Sequence, residues 1–220
     1  MSQELPIKCE VDAASIVLRG SFNPAIIQPR WLGAKGLVME AEATDAKVEI
    51  ITPDVSSFAM GWVHLQVTTD KFSATALEAG RARSLRDLVN GIFGLLEHTP
   101  LQALGMNRTM HFRLPGEVEW HAVGDLLVPK DPWKELIEKP GMLSVVVQGR
   151  IAARPKALTN IKVEPSARIK PGVFVEVNEH YGITEIGGEE GLLRTLRDAW
   201  EDAQQDAKRI AEKMVAKGAG

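Results

Sequence analysis

Apolar and polar positions along the chain change period several times, and each change predicts an element. Ile16 to Phe22 is a β-branched run that predicts a strand, and Asn23-Pro24 stops it. A short apolar helix with Pro24 in its first turn and carrying Ile26, Ile27, Trp31 and Leu32 is expected next, interrupted at Pro29 and ended by Gly33 and Gly36. After a polar link from Glu40 to Lys47, Val48 to Ile51 predicts a strand. Trp62 to Thr68 and Phe72 to Leu77, flanking Thr69-Asp70-Lys71, predict a β-hairpin with Phe72, Ala74 and Ala76 on its core face.

From Ser84 the period becomes helical, with Leu85, Leu88, Val89, Ile92, Leu95 and Leu96 on one side until Thr99-Pro100. From Met106 to Leu114 it switches to two. Met106, Met110, Phe112 and Leu114 share one face with a single charged exception, Arg108, and Asn107, Thr109, His111 and Arg113 share the other. A second helix is expected over Glu117 to Leu127, then a short one opened by Asp131-Pro132 and closed by Pro140-Gly141. Strands follow at Leu143 to Ile151, Thr159 to Val163 and Val173 to Val177. A long amphipathic helix closes the chain from Glu189 to Ala216, its stripe running through Leu192, Leu196, Trp200, Ala203, Ala207, Ala211 and Met214. It is longer than one sheet requires, so its end is expected to reach a partner or a second subunit.

This order predicts an α+β fold: a largely antiparallel β-sheet with helices packed on one face and a long C-terminal amphipathic helix. A single domain over 1–220 is the expectation, the alternative being two similar halves meeting near Pro115.

Composition narrows the function classes. The chain has 220 residues, 26 basic and 29 acidic, for a formal net charge of -3, which gives no global field toward nucleic acid or an anionic membrane. Nucleic acid and membrane are therefore not expected partners. Cys9 is the single cysteine, so no intrachain disulfide forms and a reducing cytoplasm is the expected location. No run of about 18 apolar residues predicts a membrane span or a signal peptide.

The residue types that usually carry chemistry are present without the spacings that chemistry needs. None of His64, His98, His111, His121 and His180 sits in an HExxH, HxH or Cys-His pattern, so no metal is expected. No serine lies in a nucleophile turn, and no glycine-rich loop converges on a phosphate; Gly187 to Gly191 carries two glutamates instead. No cofactor is expected. The polar row Asn107, Thr109, His111 and Arg113 presents four hydrogen-bonding side chains from one strand, suited to reading a protein edge or a ligand. Trp133, between prolines and lysines, is the tryptophan suited to an interface, whereas Trp31, Trp62 and Trp200 are expected in the core.

The stretch Phe22-Asn23-Pro24, followed by Ile26, Ile27, Gln28 and Trp31, resembles the N-terminal strand-to-helix stretch of SecB-type export chaperones. The likeness covers residues 14–32. It implies an α+β fold with a curved antiparallel sheet, oligomeric assembly, and the holding of unfolded chains in apolar grooves, in some members within toxin-antitoxin modules. Those chaperones are shorter and more acidic than this chain.

The expectation is thus a non-enzymatic, cytoplasmic, bacterial protein-binding subunit of accessory, antitoxin-like or chaperone-like type, whose partner is another protein or a second copy. Asn107, Thr109, His111, Arg113 and Trp133 are its partner-binding residues. The alternative is an enzyme or small-ligand-binding protein whose site, built from Asn107, His111, Arg113 and His180, assembles only in three dimensions.

Overall fold

A computed structural model describes residues 7–219 of the chain. The fold is α+β, as its patterning predicts, and is organised by one antiparallel sheet of nine strands in the order β2-β3-β4-β5-β1-β6-β9-β8-β7. The strands are β1 (Lys8–Gly20), β2 (Lys47–Ile51), β3 (Val55–Met60), β4 (Val63–Thr68), β5 (Lys71–Ala76), β6 (Leu101–Arg113), β7 (Val145–Ile151), β8 (Arg154–Pro165) and β9 (Gly172–Gly182). The helices are α1 (Pro29–Ala34), α2 (Glu40–Thr44), α3 (Ala82–Leu95), α4 (Glu117–Leu127), α5 (Ile183–Ile186) and α6 (Glu189–Ala219), with a 3-10 turn at Asp131–Trp133.

The path is traced twice. From β1 the chain passes through α1 and α2 to one edge of the sheet, meanders back through β2 to β5 until it lies beside β1, and leaves into α3. From β6 it passes through α4 to the other edge, meanders back through β7 to β9 until it lies beside β6, and leaves into α5 and α6. β1 and β6 join the two meanders along almost their whole length, from Lys8 opposite Arg113 to Gly20 opposite Leu101. Gly20 closes β1 because a Cβ there would stand 2.2 Å from the Pro100 carbonyl oxygen.

One sheet face is apolar and bears the helices. Ile16, Leu18, Phe58, Leu65, Phe72, Ala74 and Met106 form its first half with Leu85, Val89 and Phe93 of α3. Phe93 meets Phe72 edge-on at a centroid distance of 5.0 Å. Met110, Phe112, Val163, Val175 and Val177 form the second half with Val123 of α4 and Ala207, Ala211 and Val215 of α6. From Leu192 to Ala211 the stripe of α6 is buried as its period predicts, and alanines at 203, 207 and 211 let the helix lie close to the sheet. Trp200 is fully buried and donates its indole N–H to the Ala82 carbonyl at 2.9 Å, tying α6 to the start of α3. Trp31 and Trp62 are only partly buried, at the margin of the core.

Three expectations are corrected. Pro24 does not open a helix: the Asn23 side chain accepts the Ala25 N–H at 3.1 Å, turning the chain, and the helix begins at Pro29. The polar link after Glu40 forms the short helix α2. The end of α6 is not left for a partner, because α4 covers it: Val215 is fully buried, and a Cβ on Gly218 would stand 2.6 Å from the Val123 Cα.

Charged groups also hold α6 from the core side. Arg108 donates to both Asp12 oxygens at 2.8 and 2.6 Å and to the Gln204 carbonyl at 2.7 Å. Arg154 on β8 donates to Glu179 on β9 at 2.6 and 2.8 Å and to Asp206 on α6 at 2.8 Å, while the Tyr181 hydroxyl donates to Glu179 at 3.1 Å. Glu179 is only 2% exposed. Hydrogen bonds from Arg209 and then Arg154 hold the Asp206 carboxyl below its ordinary pKa, and Glu179 raises that of Arg154. Replacing Arg154 by Met leaves Glu179 buried without its cation. We expect Arg154→Met to lower unfolding free energy by about 3–5 kcal/mol, read from urea denaturation.

Candidate interaction surface

The helix-free face of the sheet is polar, and its side chains satisfy one another across the strands. Gln148, Asn160, Asn178, Asn107 and Ser15 lie opposite one another in register on β7, β8, β9, β6 and β1. Gln148 donates its amide N–H to Asn160 at 2.9 Å, Asn160 to Asn178 at 3.3 Å, Asn178 to Asn107 at 2.6 Å, and Asn107 to the Ser15 carbonyl at 3.4 Å. The row continues in register through Thr75 on β5 and His64 on β4. At that end His64 and Ser57 reach Glu49 of β2, whose carboxyl lies below its ordinary pKa through hydrogen bonds from Ser57 and then His64.

The four residues expected to read a partner all stand on this face of β6, and each is engaged within the molecule. Asn107 belongs to the amide chain. Thr109 donates to the Ala13 carbonyl at 3.5 Å. Arg113 forks onto Glu10 at 2.6 and 3.1 Å and reaches the Lys170 carbonyl at 3.1 Å. His111 is 8% exposed, lies against Phe174 at a centroid distance of 4.9 Å, and meets Ser166 at 2.8 Å.

The Ser166 contact identifies the histidine tautomer. Its Oγ already accepts N–H bonds from Arg168 and Ile169, at 3.2 and 3.0 Å, which uses both lone pairs. The hydroxyl therefore donates to His111 Nδ1, and the ring proton sits on Nε2. Burial, with the nearby Arg168 charge, lowers the His111 pKa. A lowered histidine pKa means that the unfolded chain binds more protons, so this contribution is complete above the unfolded pKa of about 6.5 and is lost as pH falls through the lower folded value.

His180, opposite Gly105, shares the face with Asn107 and His111. At about 3.3 Å per residue, Gly105 to His111 covers roughly 20 Å of strand, so the histidines and Arg113 are strung out rather than gathered into one pocket. The cleft of about 600 Å³ between the end of α3 and the start of α6 is lined by Phe93, His98, Leu193, Arg194 and Arg197, among others, and by none of the row. Among the described residues no three His, Cys, Asp or Glu side chains gather as a metal would require, and no helix is long and apolar enough to cross a membrane.

Trp133 stands apart from the row, in the 3-10 turn, and is 44% exposed. It belongs to a stretch of chain rich in exposed apolar residues. Leu126, Trp133, Leu136, Ile137, Leu143, Val146 and Val147 are all exposed within 22 consecutive residues, leading into the edge strand β7. Sequence reasoning singled out Trp133 but not these other exposed residues, because Leu136, Ile137 and Val147 fit the core of a short helix and strand equally well. No model of a known protein family matches this chain, and no curated protein sequence does.

Two outcomes test this geometry. Asn178→Leu strands the Asn107 oxygen and the Asn160 amide, and is expected to cost about 1–3 kcal/mol in chemical denaturation. His111→Gln removes one titrating group, so its unfolding free energy should fall less than that of the unaltered protein between about pH 6.5 and 5, measured by urea titration at each pH.

Proposed function

We propose that this protein is a non-enzymatic protein-binding subunit of chaperone-like type, which takes up extended stretches of other polypeptides at the β7 edge and the apolar surface leading into it. The observation that carries the reading is the density of exposed apolar side chains from Leu126 to Val147, leading into an edge strand whose outer side has no partner. Exposed apolar side chains scattered singly need no explanation, but a run of them at an open strand edge would pair with other chains unless that is its use. An extended segment supplies both the backbone groups the strand lacks and the apolar contacts. The likeness of residues 14–32 to SecB-type chaperones points the same way.

The polar row is a less suitable partner surface than its residue types indicate, since its hydrogen-bonding groups are already engaged inside the sheet.

Labelled, permanently unfolded polypeptide titrated with the protein should raise its fluorescence anisotropy saturably. Val146→Lys with Val147→Lys should weaken that binding at least tenfold while leaving the circular dichroism spectrum unchanged, because charges on an edge strand oppose pairing. Equal binding by the two proteins would remove β7 from the reading.

A further inference from the structure

β7 has a neighbour on one side only, so alternate residues on its outer side present backbone N–H and C=O without a partner strand. The opposite edge is defended. β2 carries Lys47 and Glu49, and its register is broken by a bulge between Val48 and Ile50. β7 has a register shift as well, between Gly149 and Ile151, but the stretch before it, Val145 to Gln148, has no charge, no proline and no register break. Arg150, the one charge in β7, is drawn back onto its own hairpin by the carbonyls of Pro155 and Ala157 at 2.8 and 3.3 Å.

The side chain that this edge offers follows from the amide chain. A backbone carbonyl can only accept, so at Ser15 the Asn107 amide must present its NH₂ and turn its oxygen to Asn178. The same condition passes from strand to strand until Gln148 gives its NH₂ to Asn160. The chain therefore ends at the sheet edge on a carboxamide whose oxygen accepts no hydrogen bond among the described residues, and whose second N–H is uncommitted.

We propose that β7 receives, in antiparallel pairing, an extended polypeptide segment bearing Asn or Gln opposite Gln148, with apolar residues on either side of it. The incoming amide becomes the fifth in the chain: its NH₂ donates to the Gln148 oxygen, and its own oxygen can take the second Gln148 N–H. An aliphatic residue leaves both groups unanswered within the new interface, and a carboxylate cannot donate at all. The flanking residues meet Val147 and Gly149 on the helix-bearing side. This inference rests on the reading of β7 as a polypeptide-binding edge and specifies which segments it selects.

The test uses fluorescent ten-residue peptides of valine and alanine with a lysine at each end and one central position X, which is Gln, Asn, Leu or Glu. With the full-length protein, the Gln and Asn peptides should bind about fivefold more tightly than the Leu peptide, the effect of one neutral hydrogen bond, and the Glu peptide should bind most weakly. Gln148→Leu should remove the difference between Gln and Leu while still binding the Leu peptide. Equal affinity for all four peptides would overturn the selectivity and leave the edge reading intact. Binding of unfolded protein with no uptake of any peptide would place the binding elsewhere and overturn the inference. Failure to bind either probe would overturn both, as would a stable dimer in sedimentation whose formation is abolished by Val146→Lys and which excludes the peptides.

Discussion

The antiparallel seam between β1 and β6 is the constraint on which the rest of the structure depends. Each strand closes one meander, and either meander alone would present that strand as a long edge with its apolar side, Ile16 and Leu18 or Met106 and Met110, beside open backbone. Pairing them removes both edges at once and makes one sheet out of two. Arg108 adds direction to the seam: on the apolar side of β6 it holds Asp12 of β1 and the Gln204 carbonyl of α6, so two strands and the longest helix share one cation. An arginine there would be costly without these partners, because a partly buried guanidinium needs its donors satisfied.

The helix layer follows from the seam. A 31-residue helix, about 46 Å long, can lie across the second meander and still reach α3 of the first. Its small residues face β6 and β9, and its one large anchor, Trp200, reaches the start of α3. The Arg154, Glu179 and Asp206 cluster secures it to β8 and β9. The desolvation of its charges offsets much of their attraction, so the cluster adds less net stability than would be lost by removing one partner and leaving another charge buried.

Much of this was legible in the sequence where burial and period agree. The helix carrying Leu85, Leu88, Val89 and Ile92, the apolar stripe of α6 and the alternation of Phe72, Ala74 and Ala76 all rest on plain hydrophobic spacing. Legibility fails where polar groups are buried. β3 was not anticipated because Ser56 and Ser57 sit inside it, Ser56 donating to the Ile27 carbonyl and Ser57 to Glu49, so its apolar alternation is masked. β8 and β9 extend beyond their expected ends because Arg154 and Glu179 occupy core-facing positions as an ion pair. β6 begins five residues earlier than its alternation implies, since the register shift between Arg19 and Gly20 on β1 breaks the period opposite Leu101 and Ala103. The polar row on β6 was legible as residue types sharing one face. That its members are engaged from the neighbouring strands and loop depends on Asn178, Ser166 and Glu10, whose proximity arises only from sheet order.

That same order makes the two edges of the sheet unlike. Both are reached by a chain leaving the centre, and both carry exposed β-branched residues, Val48 and Ile50 on one side and Val146 and Val147 on the other. Edges of this kind are ordinarily blunted by charge or by a bulge. β2 has both, and its Glu49 is drawn inward by Ser57 and His64, which closes the polar row at that end with a charged acceptor. At β7 the row closes with an amide, a group that donates and accepts equally and therefore ends no chain of hydrogen bonds. The orientation of that amide is decided at the seam, four strands away, by a carbonyl of β1 that can accept but not give. The centre of the sheet thus dictates which hydrogen-bonding group is held open at the β7 edge, beside the stretch Val145 to Gln148 that carries neither charge nor register break.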